Sequence, residues 1–135
     1  MAKSLFPEEM IKSSSEMSLE TIAARLTYFH EQLHLLHWQT TSYAEHKALG
    51  KLYEYVQDFK DGVIEKLMGY MNKRPGVYKI EPLTQTSSMA VVNDLLSFAS
   101  SLKSFANSNG YHDIGNLADA LSGEAAKTRY LLTLS

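Results

Sequence analysis

Three of the five histidines in this sequence of 135 residues fall at the spacing of one helical face. His30, His34 and His37 are four and three residues apart, which places them within about 60° of arc on a helix. Burial of an imidazole costs free energy unless the ring hydrogen-bonds or binds something. Two interpretations therefore stand side by side, hydrogen-bonded packing and ligation of a metal ion.

A second pattern is acidic and lies further along the chain. Its members are four, three and four residues apart and form one helical stripe: Glu54, Asp58, Asp61 and Glu65. This stripe faces nearly opposite the apolar positions Val56 and Val63, so within one subunit it points away from the core. A solvated face is one interpretation. The other is a metal site that a second subunit completes, because Asp61 and Glu65 are one turn apart and reach the same cation. Carboxylate with imidazole suits iron, manganese or zinc.

Four helices are predicted to position these residues, because apolar side chains recur every three or four positions in four segments. The predicted segments are 18–39, 44–72, 88–108 and 112–132. Ser18 is placed to cap the first, and Arg74-Pro75-Gly76 ends the second. We expect an all-α fold, a single four-helix domain over residues 1–135 whose N-terminal segment 1–17 holds one short turn.

The long connection 74–87 decides the expected topology. Its fourteen residues reach about 46 Å when extended, and the second helix is about 45 Å long. The connection can therefore return along the bundle and leave the second and third helices parallel. Two antiparallel pairs with one long crossover form the ferritin-like arrangement. A plain up-and-down bundle with an extended loop is the alternative.

Composition excludes several other classes of protein. The absence of cysteine removes disulfide scaffolds, thiolate zinc sites, iron–sulfur clusters and cysteine nucleophiles. The net charge of -2 and the lack of a basic tail predict little DNA binding at physiological salt. No apolar run is long enough to span a bilayer or to act as a secretory signal, so we expect a cytoplasmic protein without a membrane partner.

The histidines and carboxylates together resemble the motif of the Dps-like miniferritins. In that family a His-Trp pair closes the first helix, as His37-Trp38 would here, and a second histidine opens the second, as His46 would. Asp61 and Glu65 then match the family's Asp-x-x-x-Glu spacing. The resemblance covers residues 34–71 by motif and the whole chain by helix pattern. It implies a ferritin-like bundle that assembles into hollow dodecamers, with ferroxidase sites at two-fold dimer interfaces.

The resemblance also implies a set of metal ligands and an activity. The ligands are His37 and His46 from one subunit and Asp61 and Glu65 from its neighbour, with no separate catalytic residue. The implied activity is the oxidation and sequestration of Fe(II), with manganese or zinc as alternative ions.

Two features depart from the family pattern. The stretch between His37 and His46 is shorter than usual, and Gly50 stands where an acidic ligand is expected. His34 and Glu54 are additional candidate ligands. The alternative hypothesis is a non-catalytic ferritin-like structural or interaction protein that oligomerises without a functional ferroxidase centre.

Overall fold

The structure, a computed structural model, describes residues 17–134. Within this range it contains four helices and no strand. They are α1 (Leu19–Gln39), α2 (Tyr43–Met71), α3 (Ser88–Ser108) and α4 (His112–Leu132). The predicted all-α four-helix class is confirmed, and each helix begins and ends within one residue of its predicted bounds. The short turn expected near residues 6–10 lies outside the described residues.

Serine side chains start three of the four helices. Ser18 caps α1 as predicted, because its hydroxyl accepts from the Thr21 amide at 3.1 Å. The Thr21 hydroxyl accepts from the Ser18 amide in return at 2.8 Å, which completes a capping box. Ser42 and Ser87 accept equivalent bonds at the starts of α2 and α3. The caps satisfy amide groups that have no partner inside the helix.

The end of α2 differs from its prediction in two details. The helix ends at Met71 because Asn72 adopts a left-handed conformation, with φ of 55°. Asparagine tolerates this region better than most residues. Tyr70, whose spacing from Val63 and Leu67 continues the apolar stripe of α2, is nevertheless 47% exposed. Its ring stacks on Tyr111 and its hydroxyl donates to Asp113 at the start of α4.

The core forms where the apolar stripes of all four helices meet. Helix α1 packs on α2 and α3, and α4 also packs on α2 and α3. The largest fully buried side chains are Phe29, Leu19, Ile22, Leu26, Leu33, Leu49, Leu52, Leu67, Leu95, Leu102, Ile114 and Leu121. Burial of each such side chain stabilises the fold by about 1.5–3 kcal/mol. Between residues 17 and 134, no helix has both the length and the apolar character required to cross a membrane.

Residues 72–87, called here the connecting segment, lie against α1. The Gly76 amide donates to the Glu20 carboxylate at 2.6 Å, near the start of α1. Further along both segments, the buried Gln32 side chain holds Thr84 with two hydrogen bonds. Its amide nitrogen donates to the Thr84 carbonyl at 3.1 Å, and its oxygen accepts from the Thr84 amide at 3.0 Å.

Polar contacts also join the helix ends. The Glu45 carboxylate, in the first turn of α2, accepts from the Thr40 hydroxyl at 2.7 Å and from the Ser88 hydroxyl. The first turns of α2 and α3 are therefore neighbours. At the other end of α2, Lys66 lies 3.5 Å from Asp113, which places the start of α4 beside the end of α2.

Candidate metal site

His37 and His46 lie face to face where α1 and α2 join. Their ring centroids are 3.7 Å apart and the ring planes differ by 18°. His37 Nδ1 is 2.7 Å from the carbonyl oxygen of His46, and His46 Nδ1 is 2.9 Å from that of His37. The fold thus brings together two of the four predicted ligands.

These reciprocal bonds determine the tautomer of both rings. A carbonyl oxygen only accepts, so each Nδ1 must carry the proton and donate it. In the neutral rings Nε2 then keeps its lone pair. Metal-binding histidines commonly donate their other ring N–H to a carbonyl or carboxylate in this way. The chemistry of both rings therefore fits metal ligation through Nε2.

The stacking limits what the pair can bind. The nitrogen lone pair lies in the plane of its ring, and metal–nitrogen distances are about 2.1 Å. Two planes only 18° apart, with centroids separated by 3.7 Å, do not meet within that reach. His37 and His46 therefore cannot chelate one ion together in this arrangement, and each ring would ligate a separate ion.

Gly50 is the position where the miniferritin motif would have an acidic residue. In this structure the His37 ring lies in the space of that side chain. A Cβ atom added at Gly50 would lie 3.1 Å from His37 Cε1 and 3.3 Å from Nδ1. Such contacts are tighter than ordinary packing, so the ring would have to shift. The absence of a side chain at residue 50 leaves room for the His37 ring to pack closely against α2.

His34 lies beside the pair and not in the core. Its ring stacks on Tyr53, with centroids 4.4 Å apart, and is tilted by 39° against the Trp38 ring, with centroids 3.9 Å apart. It is 6.1 Å from the His37 ring and 5.8 Å from the His30 ring. Burial lowers the pKa of His34, and the neighbouring His30 and His37 lower it further, against an opposing effect of the Glu31 carboxylate. His30 Nδ1 lies 3.2 Å from the Glu31 carboxylate, and His34 packs against aromatic rings; metal ligation by His34 stays a prediction.

The carboxylates lie apart from the histidines. All four acidic residues of the stripe are exposed, which confirms that it points away from the core. Asp61 and Glu65 are fifteen and nineteen residues beyond His46, or about 22 and 28 Å along α2 at 1.5 Å per residue. Within one copy of the chain, these carboxylates and the histidine pair are separate features.

The described part of one copy accordingly holds no complete metal site. Among residues 17–134, no three side chains of the ligating types are arranged so that they hold one ion. The predicted four-ligand set would need the carboxylates of another copy beside His37 and His46. This requirement was part of the sequence-based prediction, and it remains a prediction.

Two sets of contacts in this region were not predicted from the sequence. Tyr53 contacts three imidazoles, those of His30, His34 and His37. Its position three residues after Gly50, on the same face of α2, was the available signal. The reciprocal backbone bonds of His37 and His46 had no signal in the sequence, because any residue supplies a carbonyl.

Comparison with known proteins gives a family but no activity. No curated protein and no solved structure matches the chain. The model of a family of unknown function, DUF5856, matches residues 37–132, which include His37, His46, Gly50, Asp61 and Glu65. The match covers well over half of the sequence, and the chain belongs to the DUF5856 family.

Proposed function

We propose that this protein is a ferritin-like, Dps-like iron-binding protein that oxidises and sequesters Fe(II) at sites between subunits of an oligomeric shell. One observation carries the proposal. His37 and His46 are held side by side with both Nδ1–H groups bound to backbone carbonyls, so both Nε2 atoms keep their lone pairs for a metal. Organising the rings before the ion binds lowers the entropic cost of binding.

Helix connectivity supports the ferritin-like part of the proposal. The Glu45–Ser88 contact puts the starts of α2 and α3 at one end of the bundle. The contacts of the connecting segment advance along α1 from Glu20 to Gln32. We infer that this segment is the long crossover, and that it leaves α2 and α3 parallel.

The exposure of Asp61 and Glu65 supports a division of ligands between two copies. A two-fold interface uses the same patch on both copies, so two copies form two equivalent sites. Each imidazole would ligate its own Fe(II), and the partner's two carboxylates would neutralise the charge and hold the ions close together. Peroxide or dioxygen would accept the electrons, and ferric oxide would collect inside the shell.

Mixing two inactive variants tests the composite site. One variant carries His37→Ala and His46→Ala, and the other carries Asp61→Asn and Glu65→Gln. We expect neither to oxidise Fe(II). After subunit exchange, half of the dimers are mixed and hold one intact site of two, so about a quarter of the wild-type activity should return.

The control for this experiment is Asp58→Asn, which alters the same stripe at a residue outside the ligand set. It should oxidise Fe(II) at the wild-type rate. A mixture that stays inactive after verified subunit exchange would rule out a site shared between copies.

A non-catalytic ferritin-like module is the second candidate, and the surroundings of Gly50 favour it. The His37 ring lies in the space of the acidic side chain that the miniferritin motif would place at residue 50. Such a protein would assemble without metal. Elemental analysis by mass spectrometry of protein purified after Fe(II) loading separates the two, because only the first candidate retains iron in proportion to its sites.

A further inference from the structure

The connecting segment exposes apolar side chains between its two anchors on α1. Val77 is fully exposed, and Ile80 and Leu83 are 43% and 41% exposed. The anchors are the Gly76 amide and the two hydrogen bonds of Thr84. Apolar side chains clustered on a surface often mark an interaction site.

The backbone between these anchors, residues 77–83, also forms no hydrogen bond within the described part of the chain. Gly76 and Thr84 both direct their amides at α1, and they are eight residues apart. Backbone groups alternate direction along an extended chain. The backbone groups of residues 77, 79, 81 and 83 therefore face away from α1.

The anchors are far enough apart to keep this stretch nearly extended. Glu20 and Gln32 are twelve residues apart, which is about 18 Å along α1 and a third of a turn around it. For a chain about 8 Å from the helix axis, the path between them around the helix is roughly 25 Å. Eight fully extended residues would cover about 26 Å.

We propose that residues 77–83 pair with the same residues of a second copy as two antiparallel strands, about a two-fold axis at Ile80. In this register Val77 lies opposite Leu83 of the second copy, and Lys79 lies opposite its Glu81. Both pairs occur twice by symmetry. Apolar and opposite-charge pairs across antiparallel strands each stabilise the pairing. The segment is thus complementary to itself in charge and in apolar character.

Pro82 is compatible with the same register. If the two Ile80 residues form a non-hydrogen-bonded pair, the bonded positions are 77, 79, 81 and 83. These are the residues whose backbone groups face outward. Pro82, which has no amide hydrogen, then falls at a position where none is needed.

This interface goes beyond the proposed function. It is a surface by which two copies would associate, and its formation requires no metal. Pairing would also cover the apolar side chains and the backbone of this segment. An uncovered backbone edge of this kind is prone to pair with other chains and aggregate.

Cysteine cross-linking tests the register, since the chain has no cysteine of its own. In the proposed pair the two Ile80 Cα atoms are about 4.5 Å apart, within the range of a disulfide, about 4.4–6.8 Å. The matched control is Leu83, equally exposed, which lies about 20 Å from its symmetry mate. In EDTA with a mild oxidant such as diamide, Ile80→Cys should form covalent dimers at least ten-fold faster than Leu83→Cys. Equal rates, or no dimer from Ile80→Cys, would overturn the proposal.

A charge exchange tests the same register without a covalent bond. Lys79→Glu and Glu81→Lys each place like charges opposite one another, so each should raise the dimer dissociation constant roughly ten-fold in sedimentation equilibrium. The double variant restores opposite charges and should return to within about two-fold of the wild type. A double variant as weak as the single variants would exclude this register. Addition of Asp61→Asn and Glu65→Gln should leave the association in EDTA unchanged, which separates this interface from the metal site.

Discussion

Gly50 has two opposite effects on the stability of α2. A glycine inside a helix costs about 1 kcal/mol relative to alanine. The same glycine leaves room for the His37 ring, which a Cβ would approach to 3.1 Å. A side chain there would require a shift of the ring, whose Nδ1 donates to the His46 carbonyl.

Alanine substitutions at two glycines of α2 separate these effects. Gly62 has nothing within 4 Å of an added Cβ, so Gly62→Ala should raise the free energy of unfolding by about 0.5–1 kcal/mol. Gly50→Ala should give a smaller gain or a loss, because the His37 ring must move. Urea unfolding measures both. A Gly50→Ala gain equal to that of Gly62→Ala would mean that the ring adapts without cost.

Asp113 provides a prediction about pH. The Tyr70 hydroxyl that donates to it lowers the pKa of the Asp113 carboxyl from its ordinary value of 3.8, with help from the Ile114 amide and Lys66, although desolvation opposes them. The folded pKa is depressed, so the stabilising contribution is present above pH 3.8 and is lost as the pH falls through the lowered pKa.

Tyr70→Phe should therefore raise the pKa of Asp113 towards its ordinary value, as followed by carboxyl NMR titration. The free energy of unfolding of the variant should also depend less on pH below about pH 4. Tyr130→Phe, which alters another exposed tyrosine, is the control and should leave the titration unchanged. An unchanged Asp113 titration in Tyr70→Phe would show that the hydroxyl is not the main cause.

At the scale of elements, Gln32 attaches the connecting segment to α1. Its side chain is fully buried, and both of its amide atoms bond to the Thr84 backbone. The two bonds determine the orientation of the amide, since a carbonyl accepts and an N–H donates. They also satisfy backbone groups that no helix or strand satisfies.

Gln32→Leu should lower the free energy of unfolding by about 1–3 kcal/mol, because the Thr84 amide and carbonyl lose their partners. Gln39→Leu is the matched control, since it removes an exposed bond from the same helix to Gln85 of the connecting segment. That change should cost less than about 0.5 kcal/mol. Similar urea midpoints for the two variants would contradict a specific role for Gln32.

At the scale of the whole molecule, metal binding and self-association should be coupled. If the ligands come from two copies, any ion that binds the dimer stabilises the dimer, and the two affinities change by the same factor. Anaerobic Fe(II) should therefore lower the dimer dissociation constant in sedimentation equilibrium, and EDTA should reverse the effect. Asp61→Asn with Glu65→Gln should remove the response to Fe(II) and keep the metal-free association. An equal response in that variant would exclude these carboxylates as ligands.

The sequence by itself determined the helices. Apolar periodicity and the Ser18 cap depend on residues within a few positions of one another, so the bounds of all four helices could be predicted to within one residue. Exposure of the acidic stripe could be predicted for the same reason, because the direction of a side chain on a helix follows from spacing alone.

Tertiary structure decided how those helices are joined and what surrounds the histidines. The bonds of Gln32 to Thr84 and of His37 to His46 use backbone atoms, which every residue type carries, so the sequence could not identify them. The exposure of Tyr70 likewise depends on where α4 begins relative to α2. Each of these features joins residues that are distant in the chain, and only the packed bundle brings them within bonding distance.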